Sequence, residues 1–547
     1  MKKLWILALG LFTVAFSHSQ TIEDAKSHLY HERNESAKNI LQQVVAKGDQ
    51  SPEALYWLAE TYFRQNKPDS AKAALLTGGG SFLQQEFSKK ESPLLYIGWA
   101  HLLLDSGKTA EARKQLEFVL DETKYKDAEA LLAAGKANID SKNGDTKWAI
   151  ELLEQAAKRD KKNPVIYTTL GDAYRKLVDG SNAVINYDKA LNAESSFAEA
   201  HYKKGKIYKT QNNPDIYLEL FNKALAADST YTPALYEMYF HYFSRDVVNA
   251  KKYLDQYIRH SDPDPQHGYM ETDLHYVSQK YKEAIAGAKN IIRSEGKDVQ
   301  PRLYKLLAYS YAATGDSATA LENINVYFDK QDSVDFVAKD YALKASLLET
   351  TSPDKSVAIE WYRKAMNLEK DEKEKLGYIV SLADLQKDAG NRQREAMWRE
   401  QIYQKKDQPT NLDLYKWGMA LYSGKDYTKA DSVFAIYEEK YPDQLHGPLW
   451  RARANALIDS TMEKGLAVAH YKKLVDIASA DTVKNKAVLL TAYDYLGGYE
   501  ATITKNFEAS LEYFTKLLQL DPDNMDANKN TALLKKWIDD GKGSADN

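Results

Sequence analysis

The sequence predicts an all-α protein, a linear stack of helical hairpins. Three observations carry that expectation. The first is composition: 14 Pro in 547 residues, beside abundant Ala, Lys, Glu and Leu, suits helices, whose interiors proline breaks. The second is a helical face. In NPVIYTTLGDAYRKLVDGSNAVINYDKALNAES, from Asn163 to Ser195, residues Tyr167, Leu170, Gly171 and Tyr174 recur at helical spacing. After a break at Asp179-Gly180, Ala183, Tyr187 and Ala190 do so again. The third is recurrence, since a small residue opens the second helix of one hairpin after another along the chain.

Length and charge narrow the class. A chain of 547 residues exceeds one ordinary core, so it is several domains or one elongated array. Apolar residues make up 44% and charged residues 28%, which argues against extended disorder. A net charge of −4 leaves no basic excess for nucleic acid. With no cysteine, disulfides, thiolate metal sites, cysteine nucleophiles and a lipid anchor on an N-terminal Cys are all excluded.

The chain opens with an address. Lys2 and Lys3 precede an apolar run from Leu4 to Phe16, and Ser17-His18-Ser19 supplies small residues before Gln20. The run is shorter than the roughly 20 residues a bilayer needs. Residues 1–19 are expected to be a signal peptide cut before Gln20, with an uncleaved anchor as the alternative. No later stretch is apolar enough to span a membrane. Export to a bacterial periplasm or the outer-membrane periphery follows as the expected location.

The ruler of small residues runs Ala37, Ala71, Ala112, Ala149, Ala183, Tyr217, Ala250, Ala284, Ala320, Ala358, Arg392, Ala430, Ala467 and Ser510. The steps from Ala37 to Ala71 and from Ala149 to Ala183 are each 34 residues and the last is 43, the extra length falling in turns. Tyr217 and Arg392 depart from the pattern, so their hairpins are expected to be splayed or irregular. The segment from Asn163 resembles the tetratricopeptide repeat, whose pattern is an aromatic, Leu-Gly, Tyr, then Ala and an aromatic. LYWLAETYFRQNKPDSAKAAL, RLYKLLAYSYAATGDSATALENI and LYKWGMALYSGKDYTKADSVFAIYEEKYP carry the same positions, through Ala71, Ala320, Gly418 and Ala430.

That resemblance implies a right-handed superhelical solenoid of about 14 hairpins whose first helices line a concave surface. It makes Gly171, Ala183, Ala190, Ala320, Gly418 and Ala430 structural residues. Gly171 and Ala183 are expected to face each other at the tightest point, with Tyr174 and Tyr187 filling the space around them.

HSDPDPQHG and KKDQPTN exclude continuous helix, and the glycines of TGGGS, Thr77 to Ser81, allow a flexible turn. They are domain joints or ordinary loops. An N-terminal array over 20–262 and a C-terminal array over 263–522, possibly continuous with it, are the expected divisions. A capping helix over 523–540 follows, with Leu533, Leu534 and Trp537 inward, and 541–547 forms a disordered tail.

Catalytic patterns are not found. TGGGS lacks the Lys-Ser/Thr of a phosphate loop, and DSKNGDTKWAIE has Lys142 and Asp145 where a calcium loop needs a ligand and Gly. His260, Asp262, Asp264, His267, Asp273 and His275 could hold a metal. Their spacing favours a turn that Asp262 and Asp264 cap. The expectation is no enzyme, no cofactor and no metal.

A binding surface remains. Carried over by register from the family, its positions include Tyr56, Glu60 and Arg64, then Asp172, Arg175 and Lys176, then Tyr202, Lys206 and Lys209. Tyr236, Phe240 and Phe243 follow, then Arg302, Lys305 and Tyr309, and finally Tyr415, Met419 and Tyr422. Cations beside aromatic rings suit an acidic or C-terminal peptide, so the expected partner is a protein or peptide, in an envelope complex. The Lys/Asn carboxylate grip of chaperone-binding relatives is not reproduced, since Thr168 and Asp172 stand there. A glycan stacked on Tyr236 and Tyr239 is the alternative ligand, and a solvated face shifted by one residue the alternative register.

Overall fold

A computed structural model describes residues 20–79 and 92–541. The expected leader, the end of the Gly-rich turn from Gly80 and the last six residues lie outside the described residues. The described residues hold 29 α-helices and no strand. They form fourteen antiparallel pairs and one last helix.

The chain divides into two compact units, one ending at Ile291 and one starting at Ile292. The division falls inside a helix, not at the prolines of HSDPDPQHG. The first unit comprises α1 (Ile22–Tyr30) and α2 (Asn34–Ala46), α3 (Pro52–Arg64) and α4 (Pro68–Gly79), α5 (Pro93–Asp105) and α6 (Thr109–Glu122), and α7 (Ala128–Asp140) and α8 (Thr146–Arg159). It continues with α9 (Pro164–Lys176) and α10 (Gly180–Ala193), α11 (Ala198–Thr210) and α12 (Pro214–Ala227), α13 (Thr232–Tyr242) and α14 (Val247–His260), and α15 (Pro265–Val277). Its last helix, α16 (Tyr281–Glu295), runs across the division.

The second unit holds α17 (Arg302–Ala313) and α18 (Ser317–Lys330), α19 (Ala338–Thr351) and α20 (Lys355–Leu368), and α21 (Glu372–Asp388) and α22 (Arg392–Lys405). It continues with α23 (Asn411–Ser423) and α24 (Tyr427–Lys440), α25 (His446–Ile458) and α26 (Val468–Ala478), α27 (Lys486–Tyr499) and α28 (Phe507–Leu520), and ends with α29 (Met525–Asp539).

Local chemistry explains the boundaries. Pro52, Pro93, Pro164, Pro214, Pro233 and Pro265 sit in first turns, where a missing N–H costs nothing. Asp145, Asp179, Asp316 and Asp426 cap second helices through their carboxylates. Asp264 caps α15 at Gln266 N–H, and Thr410 caps α23 in a box with Asp413, so both proline-bearing segments are helix-to-helix turns. Thr77 to Gly79 prolong α4 rather than forming a turn.

Small residues let the hairpins mesh, although not through the expected pair. A Cβ added to Gly171 would lie 2.2 Å from the Tyr187 ring, so Gly171 faces Tyr187 rather than Ala183. Gly205 meets Phe221 in the same way, Gly418 meets Phe434 and Gly497 meets Phe514. The small structural residues Ala183, Ala190, Ala320 and Ala430 have no exposed surface.

Two exceptions differ from expectation. Tyr217 does not splay its hairpin, because its hydroxyl bonds His241 Nδ1 at 2.9 Å while Gly205 still takes the Phe221 ring. At the other exception the ruler slips by three residues. The capped position four residues after Asn391 is Glu395, which is buried, whereas Arg392 is half-buried and pairs with Glu395 at 2.8 Å. In α29 the inward residues are Ala527 and Leu534, with Trp537 packed on Phe507, while Leu533 faces out, 41% exposed.

First helices of successive hairpins pack on one another, α3 on α5, α5 on α7 and α7 on α9, more closely than second helices do. In the first unit they therefore line the inside of the curve. The curve closes. Tyr30 at the end of α1 stacks near Tyr231 and Phe197, with centroids at 5.1 and 5.5 Å, and its hydroxyl accepts from Glu199 N–H. His31 Nε2 lies 2.7 Å from Asp228, and Thr232 donates to the His31 carbonyl. Asp262 accepts from the backbone N–H groups of Glu35 and Ser36. The first hairpin thus meets the sixth, the seventh and the turn from the seventh to the eighth, closing the curve.

Candidate functional site

Most of the expected binding surface is engaged within the chain. Tyr56 is buried, covered by Gly98 of α5 and packed on Trp57. Arg64 donates to the Leu29 carbonyl at 2.9 Å. Lys176 donates to the carbonyls of Ile139 and Ser141 at 2.5 and 2.8 Å. Lys206 and Lys209 both grip the buried Glu237. Tyr202 packs on Tyr231 and Phe221, and burial pushes its phenol pKa up. Arg175 remains exposed, 3.9 Å from Asp172.

Asp172 also accepts from Tyr187 at 2.9 Å and pairs with Lys203 at 2.5 Å. Burial disfavours the charge on Lys203, but Asp172 and Glu199 outweigh it and raise its pKa. His101 and Lys136, absent from the expected set, complete a second network around Glu60. Glu60 and His101 form a buried pair at 3.1 Å, with Lys136 3.6 Å from Glu60. Burial alone would raise the Glu60 pKa, yet Lys136 and His101 bring it down to about 2. His101 shifts up because Glu60 outweighs its burial.

One stretch of this face is different. Tyr236 and Phe240 of α13 are 39% and 43% exposed, and their rings lie 4.6 Å apart. Tyr257 supports Tyr236 from α14 at 5.3 Å. Tyr239 points the other way, buried, with its hydroxyl donating to the Met270 carbonyl at 3.3 Å, so it offers no ring to a glycan. The exposed pair borders the Lys206–Glu237–Lys209 cluster.

In the second unit Lys305 and Tyr309 both bond the buried Asp340, at 2.9 and 3.1 Å, and Arg302 bonds Gln300 at 2.9 Å. Tyr415 packs edge-on to His446, and Tyr422 to Trp450. A cleft of about 430 Å³ lies between Ala342 and Ser346 of α19 and Gly377 and Ser381 of α21, beside Tyr362 and Tyr378. Space is open at Gly377, where a Cβ would meet nothing within 4 Å. Its signal in the sequence is four small residues on two first helices.

The acidic and histidine-bearing turns are structural. Asp145 caps α8 within the segment that imitates a calcium loop. Asp262 binds the start of α2 and Asp264 the start of α15, while His267 bonds Ser261 at 3.1 Å. Among the described residues no three His, Cys, Asp or Glu side chains converge as metal ligands, and no helix is long and apolar enough to cross a membrane.

Paired helices meshed by small residues define a helical-repeat protein. Family models for the tetratricopeptide repeat match residues 28–87, 97–164, 414–443 and 495–524, so the chain carries tetratricopeptide repeats in both units. No curated protein matches it. Among solved structures it is similar to the C-terminal part of a TPR repeat-containing protein from Cytophaga hutchinsonii, at 27% identity over 48% of this chain and 98% of that one, with a TM-score of 0.33. A tetratricopeptide repeat protein from Parabacteroides merdae is 20% identical over 46% and 96%, with a TM-score of 0.32. Yeast Tom70 is 13% identical over 75% and 94%, with a TM-score of 0.28.

Proposed function

We propose that the chain is an exported, non-catalytic scaffold that binds a protein or peptide partner on the first-helix face of its first unit. The observation that carries this reading is the exposed Tyr236–Phe240 pair. Large aromatic residues are frequent binding anchors. These two stand on a rigid helix, where neighbouring charged groups satisfy one another and leave the rings for a partner. Lys206 and Lys209 flank them and supply a polar rim. Export rests on the basic start and apolar run of residues 2–16.

A photoreactive residue placed at Phe240 is expected to capture an envelope protein, and Tyr236→Ala with native folding retained is expected to reduce that capture. Capture from an exposed second-helix position such as Ile185 but not from Phe240 would move the site to the other face. Saturable binding of cell-wall fragments that is lost in Tyr236→Ala would replace the protein partner by a glycan. Mass analysis of the exported protein is expected to place its N-terminus at Gln20.

A further inference from the structure

The contacts that close the first unit differ in kind from those that build it. Within each hairpin, helices mesh along their length. Across the seam the contacts join helix ends and turns. The seam consists of the Tyr30 ring between Phe197 and Tyr231, His31 on Asp228, Thr232 on the His31 carbonyl, and Asp262 on the start of α2.

The last contact is directional. Arg33, which precedes α2, makes no side-chain cap. Asp262, 226 residues from Ser36, does that work: it accepts from Glu35 N–H at 2.7 Å, from Ser36 N–H at 3.2 Å and from Ser36 Oγ at 2.5 Å. Between the two halves of the seam Glu32 adopts the left-handed conformation, with φ of 57°. Burial raises its carboxyl pKa against the opposing charges of Arg64 and Lys203. The seam therefore closes over charged groups on the inside of the ring. A solenoid whose hairpins touch only their neighbours spreads a small change of curvature over many joints. It can part at such a seam while every repeat stays folded.

We propose that the first hairpin is a latch: it seals the ring of the first unit and opens at the Tyr30–His31 and Asp262 contacts without unfolding of the repeats, giving a folded partner access to the inner face. Only the consequence for a partner rests on the function proposed above; the opening itself does not.

Hydrogen exchange of the full chain tests it. In the native protein the amides of Glu35 and Ser36 are expected to exchange faster than the Ala190 amide in the core of α10. Asp262→Ala should speed them further by about tenfold, as loss of a cap does, with Ala190 unchanged. The chain has no cysteine, so S36C/D262C carries the only two thiols. Oxidation of that pair should slow exchange of the Glu199 amide, which donates to the Tyr30 hydroxyl across the seam, relative to the reduced pair.

The proposal is overturned if Glu35, Ser36 and Ala190 exchange together in the native protein, if Asp262→Ala loosens Ala190 equally, or if the oxidised pair leaves the Glu199 amide unchanged. Failure of Phe240 to capture a partner in both the oxidised and the reduced protein would count against the proposed function alone.

Discussion

At the residue scale, Gly171 shows what a single hydrogen atom in place of a methyl group accomplishes. Tyr187, sixteen residues downstream, occupies the space a Cβ would need and reaches past it to Asp172. Gly171→Ala should therefore destabilise the first unit by about 1–3 kcal/mol through overpacking, read as a lower urea midpoint. Gly377→Ala, which meets open space inside α21, should instead raise the midpoint, since Ala favours a helix interior by about 1 kcal/mol. Glu60 and His101 give a pH signature. The carboxyl pKa is lowered from 4.5 to about 2 on folding, so its contribution is present above 4.5 and lost as pH falls toward 2. The His101 pKa is raised from 6.5, so its contribution is complete below 6.5 and lost as pH rises through the folded value. The stability attributable to the pair should peak between those limits and vanish in Glu60→Gln, measured by chemical denaturation across pH. Breaking such a buried pair costs about 3–5 kcal/mol.

At the element scale, the α21–α22 hairpin replaces the usual small and aromatic positions with Glu395 and Arg399. Arg399 is buried, donates to Asp384 at 2.5 Å and lies 3.5 Å from Glu395. The Arg399–Asp384 contact mirrors Tyr187 on Asp172. Charges therefore fill space that rings fill elsewhere, and removing one partner strands the other. Arg399→Ala should cost about 3 kcal/mol, whereas Glu395→Ala with Arg399→Tyr should recover most of it. Equal losses in the single and double variants would show that the pair does not act as a substitute core. The slip from Arg392 to Glu395 has a plain origin: the ruler counted small residues, and this hairpin has none at that place. The cap Asn391, four residues before Glu395, marks the correct register. Capping residues locate a helix start more sharply than the type of residue it buries.

At the scale of the whole molecule, repeats cover one another and the last needs a lid. Leu534 and Trp537 of α29 cover Phe507 and its neighbours. Truncation after Pro522 should expose this apolar face, lower the melting temperature of the second unit and cause self-association measurable by light scattering. The positions expected for a ligand lie on first helices or at their ends. Many of their charges, however, find partners on the next hairpin. Glu60 was among the expected positions, but its partner His101 lies 41 residues away, beyond a lengthened repeat, so no fixed spacing links them.

The amino-acid order by itself determined the helices, their pairing and their number, because helical periodicity, caps and small contact residues act over a few tens of residues. It also singled out Tyr236 and Phe240 as surface candidates. Only the tertiary structure decided that Lys206 and Lys209 serve Glu237, that Tyr239 turns inward, and that Tyr30 and Asp262 close the first unit upon itself. Those outcomes depend on small rotations accumulated from hairpin to hairpin. Curvature of that kind is a sum over the array, and no local stretch of sequence contains it.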